Sequence, residues 1–327
     1  VHEECLTGFA AWQATIFPTP LAWGAAFDPE LVEHAAHLIG TSMRSVGIHQ
    51  GLAPVLDVAR DPRWGRTEES IGEDPYLVAT IGTGYVRGLE TAGIIATLKH
   101  FAGHAASRGA RNHAPVSMGP RELADVALPP FEMALREGGA RSVMGAYHDL
   151  DGVPCSADPW LLTTLLREEW GFTGTVVSDY FAVSFLETTH NTAGSPAEAA
   201  GLALAAGVDV ELPAQRCFGT PLLKAIQSGE VPEKHVDQAV LRVLTQKAEL
   251  GLLDADWSPA PSALAHGATR VELDPAPMRE AARLLAEESV VLLANGSEGS
   301  SSSEPVLPLA PAARIAAVGP YAADPAA

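Results

Sequence analysis

Short apolar runs alternate with longer helical stretches, and this alternation limits the chain to few folds. The runs are "APVLDV" (53–58), "IIATLKH" (94–100), "SVMGAY" (142–147), "TVVSDY" (175–180) and "GVDVEL" (207–212). Four of the intervening helices announce their starts in the same way, at Asp28-Pro29, Asp74-Pro75, Asp158-Pro159 and Ser195-Pro196. Each pairs a side chain able to cap the first backbone N–H groups with a proline whose missing N–H costs nothing there. Glycines close several helices, as in "VRGLETAG" and "ALREGG". Strands that recur roughly every 30–50 residues with a helix between them have the rhythm of parallel βα units. No dinucleotide-binding glycine fingerprint accompanies them, which favours a closed (β/α)8-type TIM barrel over an open doubly wound sheet.

The periodic helix 233–249 closes this region, so residues 1–252 are expected to form the barrel. Residues 253–276 are rich in Pro, Ala and Ser and read as a linker. A second α/β domain is expected over 277–327, opening with the helix "MREAARLLAEESV" and the strands "VVLLAN" and "ARIAAVGP". The tract "GSEGSSSSEP" between those strands reads as a mobile loop. The chain starts at Val1 without a methionine and stops after a strand-like run. It is therefore expected to be a piece of a longer protein, with the first barrel strand upstream of Val1. No signal peptide is visible, which leans toward a cytoplasmic location.

Charge narrows the partners. With 21 Lys and Arg against 40 Asp and Glu the net charge is −19, and no basic run interrupts it. Nucleic acid and anionic membranes are poor partners for such a surface, and no apolar run reaches the ~20 residues needed to cross a bilayer. Cys5, Cys155 and Cys217 show no CxxC or other metal-ligand spacing, and their odd number argues against a disulfide framework.

In barrels of this kind the chemistry lies at the C-terminal strand ends. Here those ends carry Asp57, Lys99-His100, Tyr147-His148, Asp179 and Glu211. Asp179 stands where the run "TVVS" stops, and a charge there is costly unless it is paired or used. A cation and an imidazole beside carboxylates suit a polyhydroxylated ligand. A metal site from His100, His104, His113 and Asp179 is the alternative, but a strand running into a loop does not put i and i+4 on one face as a helix does.

Longer motifs carry a family resemblance. "GLAPVLDVARDPRWGRTEESIGEDPYLV" (51–78), "ATLKHFAGH" (96–104), "SVMGAYHDLDGVPCSADPWLL" (142–162) and "GFTGTVVSDYFAV" (171–183) resemble glycoside hydrolase family 3, the β-glucosidases and β-xylosidases. "VHEECLTG", "ATIFPTPLAWGAAFDPELV" (14–32) and the run from "SVVLLANG" to "RIAAVGP", at the start of the family's α/β sandwich domain, are similar too. The resemblance implies a retaining exo-β-glycosidase that acts on terminal xylosyl or glucosyl residues and needs no cofactor. It makes Asp179 the nucleophile. Arg66, Lys99, His100, Met144 and Tyr147 become substrate-binding residues. Tyr180 stands where many members have Trp, and Glu4 stands where many β-glucosidases have Asp, a feature that leans toward xylosides. Trp64 and Arg63 are expected to support the loop presenting Arg66, and Glu68, Glu69, Glu73 and Asp74 to be loop hydrogen-bonders and a helix cap. The family's general acid/base, a Glu of the second domain, is expected beyond residue 327. Related N-acetylglucosaminidases use a His–Asp dyad after "KHF", but Arg111 and Asn112 stand where that Asp would be. A non-catalytic sugar-binding remnant and a metal-dependent hydrolase are the other classes these residues allow.

Overall fold

A computed structural model of the chain describes residues 1–267, 270–295, 305, 307–319 and 322. Two compact units emerge, Val1–Ser289 and Val290–Ala327.

The first unit is built on a curled, wholly parallel sheet whose strands lie side by side in chain order. These are β1 (His2–Glu3), β2 (Gln50–Gly51), β3 (Ile95–Phe101), β4 (Ser142–Gly145) and, after a small antiparallel hairpin of β5 (Asp149–Leu150) and β6 (Val153–Pro154), β7 (Thr175–Ser178). A further parallel bridge from Val177 to Val210 extends the order. The connecting helices are α1 (Pro20–Ala26), α2 (Pro29–Ser45), α3 (Pro75–Thr91), the short α4 (Pro120–Glu122), α5 (Pro129–Arg136), α6 (Ala182–Thr188), α7 (Pro196–Ala206), α8 (Thr220–Ser228) and α9 (Glu233–Glu249). All four expected helix starts are capped: Asp28 accepts from Leu31 N, Asp74 from Leu77 N, Ser195 from Glu198 N, and Asp158 from Trp160 N and Leu161 N. The last of these opens a helix with wider i→i+5 turns, Trp160–Glu169.

Period-2 alternation sorts the strand residues between two sides. Val143 and Val176 face outward into the main core, with Leu89 and Phe131 from the helices. Met144 and Val177 face inward, with Leu52 and Leu212, and Tyr180 packs on that inner cluster. Close helix contact uses glycine: a Cβ on Gly88 of α3 would lie 2.3 Å from the Glu33 carbonyl oxygen of α2. Tyr85 of α3 stacks on Trp23 at 4.8 Å and donates to the Cys5 carbonyl, which ties the segment after β1 to the helical layer.

Several boundaries differ from the sequence reading. The strand expected at 53–58 forms at Gln50–Gly51, and beyond it only Val55 bridges to Lys99. Pro54 has no N–H to give a ladder. "GVDVEL" contributes only the Val210 bridge. His2 and Glu3, not expected as a strand, pair with Gln50 and Gly51. Helix α10 (Ala276–Glu288), expected to open a second domain, packs against α1 and α2 in the first unit, where it buries Met278, Ala281 and Leu285. The residues before it are held too: Thr15 Oγ1 donates to Asp274 Oδ1 at 2.6 Å.

In the second unit, 290–295 and the described part of 313–320 are irregular, not the expected strands. Leu293 and Val318 are 91% and 88% exposed, so among the described residues no partner strand buries these runs. Asn295 there exchanges side-chain hydrogen bonds with the backbone of Leu307. The tract expected as a mobile loop lies, except for Pro305, outside the described residues. Among the described residues, no helix is long and apolar enough to cross a membrane.

Candidate active site

The C-terminal ends of β1, β3, β4 and β7 surround a cleft of about 450 Å³. Glu4, Arg66, Lys99, His100, Met144, Tyr147, Asp179 and Tyr180 all line it, together with Thr7, Glu69 and Asn112. Residues far apart in sequence thus meet because parallel strands all end on one face.

Asp179 follows the last residue of β7, and its side chain is 8% exposed. Oδ1 accepts from the Tyr180 amide at 2.7 Å. Oδ2 has no hydrogen-bond partner among the described residues. Burial pushes the carboxyl up to about 6, against the opposing influence of the Tyr147 hydroxyl, the Tyr180 amide, Arg66 and Lys99. Since Oδ2 has no partner of good geometry, the Tyr147 hydroxyl acts as a nearby dipole and not as a formed bond.

Lys99 and His100 enter the cleft from consecutive positions, which a regular strand forbids. The ladder between β3 and β4 shifts register between Leu98 and Phe101, and this irregularity lets both side chains face inward. Lys99 Nζ bonds Glu4 Oε2 at 3.0 Å. His100 is held on two sides. Nδ1 lies 2.7 Å from Asp57 Oδ2, and Nε2 lies 2.9 Å from Arg66 Nη2 and 3.6 Å from Asp179 Oδ2. Burial, reinforced by Arg66 and Lys99, holds the His100 imidazole well below its ordinary value, so the ring is neutral. Burial also lowers His104 and raises Asp57.

Arg66 sits at the end of the "RDPRWGR" loop. Its Nε and Nη2 grip both oxygens of Glu69 at 2.8 Å each, the fork geometry that a lysine cannot reproduce. Trp64 supports this loop by packing on Ala105 and Ala110, whereas Arg63 is spent at the surface on Asp61. Glu69 is a loop hydrogen-bonder, as expected; its pairing with Arg66 was not foreseen, although the i,i+3 spacing could have signalled it. Asn112 was not anticipated. Its Oδ1 accepts from His104 Nε2 at 2.8 Å and more weakly from Arg66 Nη1 at 3.5 Å.

Three of the strand-end residues, Asp57, Glu211 and His148, do not line the cleft, and Asp57 is spent on His100. Glu211 accepts the amides of Arg216, Cys217 and Phe218, and so folds its own loop. His148 is buried and bonded to the Asp149 carbonyl. Among the described residues no group of three or more His, Cys, Asp or Glu side chains has the geometry to hold a metal ion. His113 packs at the surface against Tyr147 with the rings tilted by 51° and their centres 4.6 Å apart. A second hollow of about 370 Å³ lies at the opposite strand ends, lined by Arg136, Arg141 and Arg242. Each of these is already tied to a carboxylate, of Glu132, Glu90 and Asp209 respectively.

Residues 1–246 match the glycosyl hydrolase family 3 N terminal domain. The chain belongs to glycosyl hydrolase family 3. A beta-xylosidase of Formosa agariphila is 40% identical over 296 residues, covering 86% of this chain and 40% of that protein. A periplasmic beta-glucosidase of Salmonella typhimurium is 35% identical, covering 95% and 40%. Among solved structures, a mutant beta-glucosidase of Listeria innocua in complex with laminaribiose superposes with a TM-score of 0.85 at 34% identity, covering 94% of this chain and 41% of that one. This family 3 chain therefore spans about two-fifths of the length of the relatives it matches. Their names divide between xylosidase and glucosidase.

Proposed function

We propose that the protein is a retaining exo-β-glycosidase that releases terminal β-D-xylosyl or β-D-glucosyl residues through a covalent ester on Asp179. The observation that carries this reading is the unpartnered Oδ2 of Asp179, buried at a strand end in the cleft where Lys99, His100 and Arg66 converge. In the reaction, Asp179 Oδ2 attacks the anomeric carbon as the bond to the aglycone oxygen breaks. Water then hydrolyses the ester. Lys99 and Arg66 offer N–H donors to the sugar hydroxyls and offset the negative charge of the site. Tyr180 offers a ring on which a sugar face can stack.

The two other carboxylates lining the cleft, Glu4 and Glu69, are each engaged in an ion pair, with Lys99 and Arg66. Neither is free to protonate a leaving group, and we assign the general acid to a residue beyond 327. Glu4 would reach toward the space that a hexose hydroxymethyl needs, and this favours xylosides.

The test is chemical rescue. Asp179→Gly should be inactive on aryl β-xylosides and regain turnover with azide, giving the α-glycosyl azide. Rescue giving the β-azide, or full activity without azide, would place the nucleophile elsewhere.

A further inference from the structure

We propose that Asp57 is the positioning residue that keeps the single ring proton of His100 on Nδ1. Nε2 then carries only a lone pair, which accepts from Arg66, and the ring offers Asp179 Oδ2 no donor. What this means for catalysis rests on the nucleophile role proposed for Asp179. The tautomer itself does not.

The argument begins at Arg66, whose guanidinium can only donate. Arg66 Nη2 lies 2.9 Å from His100 Nε2, so Nε2 accepts and carries no proton. The ring is neutral, so its proton is on Nδ1 and is donated to Asp57 Oδ2 at 2.7 Å. The same carboxylate accepts the His100 amide on Oδ2 and the His104 amide on Oδ1, both at 3.1 Å. Three donors therefore aim at one buried, wholly enclosed side chain, an arrangement that holds an acceptor and rejects a donor. From Arg66 the circuit returns through Asn112 Oδ1, which accepts from both Arg66 Nη1 and His104 Nε2.

The consequence falls on the cleft. His100 Nε2 stands 3.6 Å from Asp179 Oδ2. With a proton there, the ring would donate to the carboxylate, lower its basicity and block the lone pair that must attack carbon. With a lone pair there, Oδ2 stays bare, as observed. The one Nε2 lone pair is already taken by Arg66 Nη2, so Asp57, which does not line the cleft, acts on it by keeping the ring from donating to Asp179.

Ring-¹⁵N NMR of the unchanged chain tests the tautomer, with His100 assigned by the loss of its signal in His100→Gln. Nδ1 is expected at the frequency of a protonated nitrogen and Nε2 at that of a bare one. A protonated Nε2 overturns the proposal, whether or not the chain has glycosidase activity. Asp57→Asn tests the cause. It puts an amide, with one acceptor oxygen, before the three donors. A share of the ring proton should move to Nε2, and the Asp179 midpoint, followed by carboxyl ¹³C titration, should fall by roughly one pH unit. A residue that merely fills space would move neither, so an unchanged tautomer and midpoint in folded Asp57→Asn also overturn it. If Asp57→Asn does not fold, the tautomer of the unchanged chain decides alone.

Discussion

Replacing Asp179 by asparagine should stabilise the fold at neutral pH while removing its chemistry. Burial raises this carboxyl from its ordinary 3.8 to about 6, so the folded state holds its proton more tightly than the unfolded chain does. The sign follows from linkage. Between those two values the folded form binds more protons, and stability is lost as pH rises through the window. Above it the loss is complete and amounts to on the order of 3 kcal/mol, since a tenfold change in proton affinity is worth ~1.4 kcal/mol. Asparagine fills the same volume without the charge. Its advantage should be near zero below pH ~4, where both side chains are neutral, and should grow to the full amount by pH ~7.5. For a unit of this size that corresponds to a Tm increase of roughly 5 °C. Urea unfolding of both proteins at several pH values measures it. A variant that is less stable at pH ~7.5, or an advantage that does not change with pH, would refute the claim that an uncompensated buried charge sits at the end of β7.

Other outcomes follow from the same geometry. On an activated aryl xyloside kcat/KM should rise with pH through about 6 as Asp179 loses its proton, and a flat profile across that range would disconnect Asp179 from the rate. Arg66→Lys removes the fork on Glu69 and the donor to His100, so kcat/KM should drop by about 100-fold or more, with KM rising and kcat falling together; retention of activity would show that charge alone suffices there. Glu4→Asp should move the ratio of xyloside to glucoside kcat/KM toward glucosides by a factor in the range of ~10–200, and a shift toward xylosides would contradict the role given to Glu4. The chain 1–327 should release dinitrophenolate, which leaves without protonation, but should not cleave xylobiose, whose leaving alcohol needs an acid; turnover of xylobiose would mean that the acid lies within this chain.

The strand ends were legible because barrel chemistry concentrates there. Asp179, Lys99 and His100 could be placed in one cleft from the position where each apolar run stops. That rule also selected Glu211, because a carboxylate at a strand end can serve its own loop as well as a ligand. Both roles look the same in one dimension. The joint inward aim of Lys99 and His100 was not readable from period-2 alternation, since it depends on a register shift against β4. Asn112 sits in an irregular loop with no period to read, and only its contacts with His104 and Arg66 reveal it. Helix α10 was read correctly as a helix but given to the next domain. The Pro-rich stretch before it suggested a break, while the burial of Met278, Ala281 and Leu285 against α1 and α2 is a long-range fact. At the N-terminus, β1 is two residues long, too short for any pattern to mark it.

The central claim is that Asp179 forms a bond to the sugar. Incubating the protein with 2,4-dinitrophenyl 2-deoxy-2-fluoro-β-xyloside, then digesting it and sequencing the labelled peptide by mass spectrometry, tests this directly. The account predicts one fluoro-xylosyl group per chain, carried on Asp179 within the peptide containing "VVSDY". A label on any other residue, or release of dinitrophenolate without a label, would contradict it.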